Sequence, residues 1–107
     1  MEFASDDMHR LFRLLNDELH IVDTHGEIYL VGGAVMCLAY GARPSTRDVN
    51  AAFRPSATIR QAATRVANRI GLEPDWLNDG VKAFMSAQGE FALFIELDHL
   101  RVAHSLT

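Results

Sequence analysis

Residues 28–53 read IYLVGGAVMCLAYGARPSTRDVNAAF, and the order of parts in this stretch decides the fold. Glu27 to Val31 is short, apolar and bounded by glycines, the pattern of a buried strand. Gly32 and Gly33 follow at once. Ala34 to Tyr40 is a run of small and apolar residues closed by Gly41, which predicts a short helix with a glycine C-terminus. Arg43-Pro44-Ser45-Thr46 is a loop. Asp48 to Phe53 then alternates, with Val49, Ala51 and Phe53 on one face and Asp48, Asn50 and Ala52 on the other. Strand, Gly-Gly turn, short helix and strand make a compact unit that places two oxygen-bearing side chains, Asp48 and Asn50, side by side.

Working outward, Ser5-Asp6-Asp7 reads as a helix N-cap with two acids in the first turn. Met8, Leu11, Leu15 and Leu19 recur at helical spacing, which predicts an amphipathic helix ending near His20. Thr24-His25-Gly26 is a turn. Beyond Pro55, Ser56 caps a helix whose apolar stripe is Ile59, Ala62, Ala63, Val66, Ala67 and Ile70, with Arg65 and Arg69 pointing away and Gly71 at its end. Pro74-Asp75 predicts the start of a further helix carrying Trp76, Leu77, Val81 and Phe84, interrupted by Gly80. Gly89 marks a turn. Phe91 to Asp98 alternates as a strand, with Phe91, Leu93, Ile95 and Leu97 on one face and Ala92, Phe94, Glu96 and Asp98 on the other. A last strand runs from Leu100 to Ala103. The order α-β-α-β-α-α-β-β, without repeat or linker, predicts a single α/β (α+β) domain over residues 1–107, with helices packed on a small mixed sheet.

Composition excludes several classes. The chain has 107 residues, of which 49% are hydrophobic and 22% charged, an ordinary globular balance rather than a disordered or fibrous one. The longest apolar candidate, Ile28 to Tyr40, is broken by Gly32 and Gly33 and falls short of the ~20 residues a membrane span needs. The polar, acidic N-terminus does not resemble a secretory signal. The single Cys37 has no partner for an internal disulfide, so the expectation is a reduced, cytoplasmic protein with no membrane association. Charge is unevenly distributed. The net charge is −4, yet residues 43–69 carry six arginines (Arg43, Arg47, Arg54, Arg60, Arg65, Arg69) against the single acid Asp48. A local basic rim around one acid suits a small anionic ligand such as a nucleotide, while the overall negative charge argues against a general RNA binder. The same arginines also fit a solvated helix face.

The site chemistry follows from residue type. Two glycines after a strand let the backbone approach a ligand closely, and the amides opening the next helix suit phosphate. Ser45 and Thr46 add hydroxyl donors, and Arg43 and Arg47 flank Asp48. Paired oxygens such as those of Asp48 and Asn50 are what a divalent metal with bound phosphates requires. Glu96, or alternatively Asp98, is the expected third acid. Lys82, the only lysine, is a candidate phosphate contact or a solvent-facing side chain. Trp76 reads as a packing anchor and Cys37 as a buried, inert thiol. The pairs His20/His25 and His99/His104 match no zinc signature and read as structural or surface histidines.

At these residues the sequence resembles a known family. The run from Ile28 to Phe53, with its Gly-Gly turn and Thr46-Arg47-Asp48-Val49-Asn50, looks like the core of the minimal nucleotidyltransferases of the polymerase-beta superfamily. It is most similar to the branch found in toxin–antitoxin and abortive-infection loci. The segment Trp76-Leu77-Asn78 is similar to that branch as well. The resemblance covers about positions 28–84 and implies a nucleotidyltransferase-like core. It implies that Gly32 and Gly33 form the phosphate-binding turn and that Asp48 and position 50 hold Mg2+. The nucleoside triphosphate would then pass a nucleotide to a hydroxyl on RNA or protein.

Two departures accompany the resemblance. Position 50 is asparagine where the family has aspartate, which removes a negative charge facing the metal. The chain also stops at Thr107, where relatives continue into a helical segment, so apolar surface is expected to be covered by a second copy or an antitoxin-like partner. The alternative implied is a catalytically degenerate interaction module that dimerises or docks on a partner.

Overall fold

The structure is a computed structural model and describes residues 2–79 and 90–106. Its elements are helix α1 (Ser5–Ile21), strand β1 (Gly26–Val31), helix α2 (Gly33–Leu38), strand β2 (Val49–Arg54), helix α3 (Ser56–Ile70) and strands β3 (Leu77–Asn78), β4 (Phe91–Glu96) and β5 (Leu100–Ser105). The strands form one mixed sheet in the order β3-β2-β1-β5-β4. The β1/β2 and β4/β5 pairs are antiparallel, and β1/β5 and β2/β3 are parallel. This is the α/β architecture with a small mixed sheet that the element order implies. Among the described residues, no helix is long and apolar enough to cross a membrane.

The core forms where the helical stripes meet the buried side of the sheet. Met8, Leu11, Phe12, Leu15 and Leu19 of α1 and Ile59, Ala62, Ala63 and Val66 of α3 are buried together with Ile28, Leu30, Val49, Ala51, Leu100 and Val102. Alternation along β2 is as the pattern predicts: Val49, Ala51 and Phe53 are buried, and Asn50 and Ala52 are partly exposed. Gly26 packs closely on α1 and α3, and a Cβ there would displace the end of the Ile59 side chain. Cys37 is buried, as expected.

Helices α1 and α3 also share a charged contact that neither stripe contains. Glu18 has a nearly buried side chain and accepts hydrogen bonds from Arg65 Nε at 2.7 Å and Arg69 Nη1 at 3.0 Å. The two arginines read as pointing away from the apolar stripe do so only to reach across to α1. Replacing both by alanine strands the carboxylate out of water and should cost about 2–3 kcal/mol of stability, read as a lower urea midpoint. Glu18→Gln removes the charge while keeping the shape and should cost less; a larger loss for Glu18→Gln than for the double variant would contradict this account.

Four sequence expectations are corrected. First, the N-cap of α1 is Ala4, not Ser5; the Asp7 carboxylate accepts the Ala4 N–H at 2.9 Å. The chain is held there because Phe3 and Thr46 exchange backbone hydrogen bonds of 2.7 and 2.9 Å. Second, Ser56 is the first residue of α3 and makes no capping hydrogen bond, the N-cap being Pro55.

Third, no helix begins at Pro74. Leu77 and Asn78 instead pair with Val49 and Asn50 as a parallel strand, and Val49 N–H donates to the Trp76 carbonyl at 2.8 Å. Satisfying the edge of β2 outweighs a weak local helix preference. The expectations at Gly80, Val81, Lys82, Phe84 and Gly89 lie outside the described residues.

Fourth, β4 does not alternate throughout. A register shift between Leu93 and Ile95 pairs Leu93 with Ala103 but Ile95 with the fully buried Val102. The bulge reverses the pleat, so Leu93 is half-exposed while Ile95 packs on the core.

Candidate functional site

β1 delivers the Gly-Gly turn to one end of the sheet. Gly32 has φ 70° and ψ −142°, a backbone conformation that side chains resist and glycine tolerates. Its carbonyl receives the amides of Val35 and Met36 at 3.1 and 3.2 Å, closing the first turn of α2. Antiparallel pairing sets Val31 opposite Asn50, so the Asn50 amide stands beside the turn; a Cβ on Gly32 would lie 3.9 Å from Asn50 Nδ2.

The loop after α2 folds back over the same place. A Cβ on Gly33 would lie 2.9 Å from both Arg43 Nη1 and Thr46 Oγ1. Gly33 therefore leaves a cradle against which Arg43 and Thr46 rest, and residues with side chains there would push both away.

The expected site residues divide as follows. Gly32, Gly33, Arg43, Thr46, Asp48 and Asn50 come together at this end of the sheet. Thr46 is buried, and its hydroxyl donates to the Asp48 carbonyl at 3.0 Å. That donor holds the backbone before β2. Ser45 is half-buried, and Arg43, Arg47 and Asp48 are exposed. Arg47 and Asp48 share the wall of a cavity of about 420 Å3 with Phe3, Glu73, Asp75 and Trp76. Trp76 itself is a packing anchor, as read: it is buried, its indole N–H donates to the Ala63 carbonyl at 3.0 Å, and its ring meets Phe3 edge-on. Lys82 lies outside the described residues.

Glu96 is not brought to Asp48. It pairs with Arg101, and that row continues through Glu27 to Arg54. This row is four residues down β1 from the Val31–Asn50 row, about 13 Å along the strands, and β4 is at the opposite edge from β3. Asp98 lies between β4 and β5 at that same far end. The residue that sequence reading missed is Asn78. It pairs with Asn50 in the β2/β3 register, and its Nδ2 lies 3.5 Å from Asp48 Oδ2. Its signal was the Trp-Leu-Asn segment, hidden because that segment was read as helix.

The resolved pKa shifts also belong to the far end. A hydrogen bond from Arg54 Nε at 2.8 Å holds the Glu27 carboxyl below its ordinary value, against a smaller opposing effect of burial. Burial, and then the hydrogen bond donated to Glu27, pushes the Tyr29 hydroxyl up.

The donor set at the Gly-Gly end is one carboxylate, Asp48, with the amide oxygens of Asn50 and Asn78. Among the described residues, no three His, Cys, Asp or Glu side chains converge as a metal site. One carboxylate with neutral oxygens fits a Mg2+ ion carried in on phosphates, since that ion keeps waters and needs only one or two protein carboxylates beside substrate oxygens. Arg43 and Arg47 stand beside Asp48 as the cations at this end, while Glu73 and Asp75 add carboxylates to the wall that Arg47 and Asp48 share. At six residues, α2 is too short to rely on its dipole, so an anion at this end would depend on close backbone approach and the arginines. Comparison with protein-family models, with curated proteins and with solved structures finds no match to this chain.

Proposed function

We propose that this chain is a nucleotidyltransferase-like domain that binds a nucleoside triphosphate with Mg2+ at the Gly32–Gly33 end of its sheet. The observation that carries the reading is the juxtaposition of Gly32 with Asn50 and of Gly33 with Arg43. A side-chain-free approach thus stands beside the Asn50 amide and the exposed Asp48, with Arg43 and Arg47 as the neighbouring cations. Gly32 and Gly33 admit the phosphates to the backbone, Arg43 and Arg47 offset their charge, and Asp48, Asn50 and Asn78 supply the oxygens that would hold the ion. Bound Mg2+ supplies Lewis-acid polarisation of a phosphoryl oxygen. In a transfer reaction the acceptor hydroxyl of an RNA or protein forms the new bond to the α-phosphorus, its proton is released, and pyrophosphate leaves with the broken P–O bond. With one carboxylate instead of two, binding is expected to be better preserved than turnover.

The test is thermal unfolding with each of the four common nucleoside triphosphates, with and without Mg2+. A ligand at ~100 times its dissociation constant stabilises by about 2.7 kcal/mol, a shift of several degrees or more in a domain of this size. The shift should require Mg2+ and should vanish in Gly33→Val, whose added side chain meets Arg43 and Thr46. Absence of any shift would sink the reading and favour the interaction module. That second reading has its own support: on the sheet face bearing Tyr29, Phe91 and Ala103, Leu93 is 51% exposed. It predicts a dimer or larger assembly by light scattering.

A further inference from the structure

Three histidines far apart in sequence meet at the end of the sheet opposite the proposed nucleotide site. His20 is in the last turn of α1, His25 immediately precedes β1, and His99 lies in the connection between β4 and β5. His20 Nδ1 and His99 Nε2 are 2.9 Å apart. The His25 ring stacks on His99 with centroids 4.6 Å apart and planes 19° from parallel. Sequence spacing paired His99 with His104, but His104 contacts Tyr40 and Phe94 instead.

The backbone around the group is tied down. Asn16 Oδ1 accepts the His99 N–H at 2.6 Å, and the Gly26 N–H donates to the His99 carbonyl at 2.8 Å. Thr24 N–H donates to the Leu19 carbonyl at 3.0 Å, which fixes the turn leaving α1. The end of α1, the turn and the β4–β5 connection are thus held against one another.

Hydrogen bonding sets the tautomers of the neutral pair. His99 Nδ1 is 3.2 Å from the Thr24 carbonyl, which can only accept, so Nδ1 carries the proton. His99 Nε2 then presents a lone pair, and His20 Nδ1–H donates to it. A backbone carbonyl holding the second ring nitrogen is the outer-shell arrangement that orients metal-ligating histidines. We propose that His20 Nδ1 and His99 Nε2 form a bidentate site for a late divalent transition metal such as Zn2+, with the exposed His25 turning in as third ligand.

The geometry needs little change at the first two ligands. Zinc–nitrogen bonds of about 2.0–2.1 Å in tetrahedral array place two nitrogens roughly 3.3 Å apart, a widening of about 0.4 Å. The proton on His20 Nδ1 moves to Nε2, which faces water, so the neutral pair binds the ion without net proton loss. Because no three ligating side chains among the described residues already converge, His25 must rotate off its stack, and water completes the coordination. Imidazole selects zinc, nickel or copper over magnesium, so the site is chemically separate from the one at Asp48. His25 and His99 also line a groove of about 270 Å3 in which Glu27, Glu96 and Asp98 face Arg101, an acidic excess that favours a cation.

The test is zinc titration of the metal-free chain by calorimetry, together with thermal unfolding in zinc and in chelator. One zinc per chain is expected, with a rise of several degrees in Tm that chelator reverses. Magnesium should not substitute. His20→Gln should abolish the zinc-dependent rise while leaving the Tm in chelator nearly unchanged, because His20 is exposed. His99→Gln should also abolish it, and His25→Gln should weaken it. His104→Gln should retain it. Failure of the wild-type chain to bind zinc, or binding that survives His20→Gln, overturns the site. So does binding that is lost in His104→Gln instead. These outcomes are independent of nucleotide binding.

Discussion

Trp76→Ala should lower the unfolding free energy by about 3–5 kcal/mol, the range for truncating a large buried aromatic. Trp76 is 3% exposed, and its removal takes away three things at once. It opens a void between α3 and β3, strips Phe3 of its edge-on partner, and leaves the Ala63 carbonyl without the indole donor. In a domain whose total stability is of order 5–15 kcal/mol, this is a large fraction, and Tm should fall by roughly 15 °C or more. Trp76→Phe keeps most of the ring and loses the N–H, so it should cost about 1–2 kcal/mol. Urea unfolding followed by far-ultraviolet circular dichroism measures both without depending on the indole. A loss under about 1 kcal/mol for the alanine variant would mean that the packing around Trp76 is wrongly described. The variant also bears on the site, because the Trp76 carbonyl holds Val49 and Leu77-Asn78 follows it directly. Loosening β3 should weaken nucleotide binding as well.

Asn50→Asp should strengthen Mg2+-dependent nucleotide binding about ten- to a hundredfold. The substitution adds a carboxylate beside the Gly32 turn, on the strand that Asp48 precedes. A unit charge ~4 Å from a cation is worth several kcal/mol at the effective dielectric of a protein surface. Part of that is offset by desolvation and by repulsion from Asp48, which leaves the smaller net gain. Calorimetric titration of the best nucleoside triphosphate, with and without Mg2+, reads the effect directly. The Mg2+-free affinity should fall slightly, because the added charge then faces phosphate alone. Asp48→Asn is the counterpart: without the carboxylate next to Asn50 and Asn78, Mg2+ dependence should fall sharply. If Asn50→Asp leaves the affinity unchanged or weakens it in Mg2+, the oxygens at positions 48 and 50 do not hold the ion.

Much of the fold was legible because periodicity and punctuation agree locally. The α1 and α3 stripes, the glycine-bounded β1 and the alternation of β2 each bury a face that their own residues define. The Gly-Gly turn is equally local, since the positive φ at Gly32 is permitted by residue type alone. Reading failed where a long-range partner outweighed local preference. Leu77-Asn78 became a strand because β2 had an unpaired edge. Phe94 broke the pleat of β4 because a bulge lets Ile95 reach the core while Leu93 stays outside.

The candidate site divides along the same line. Sequence by itself placed Asp48 and Asn50 close together after a side-chain-free turn, but as one strand face; in the structure Asp48 lies in the bend before β2, which begins at Val49. It also showed that the surrounding loop is rich in arginine. Only the tertiary structure decided which residues join them. Strand order and register are set by pairings between segments tens of residues apart, and no local period encodes those pairings. They brought Asn78 to Asp48, sent Glu96 to the far end opposite Arg101, and gathered His20 from the end of α1, His25 from the turn before β1 and His99 from the β4–β5 connection into one cluster.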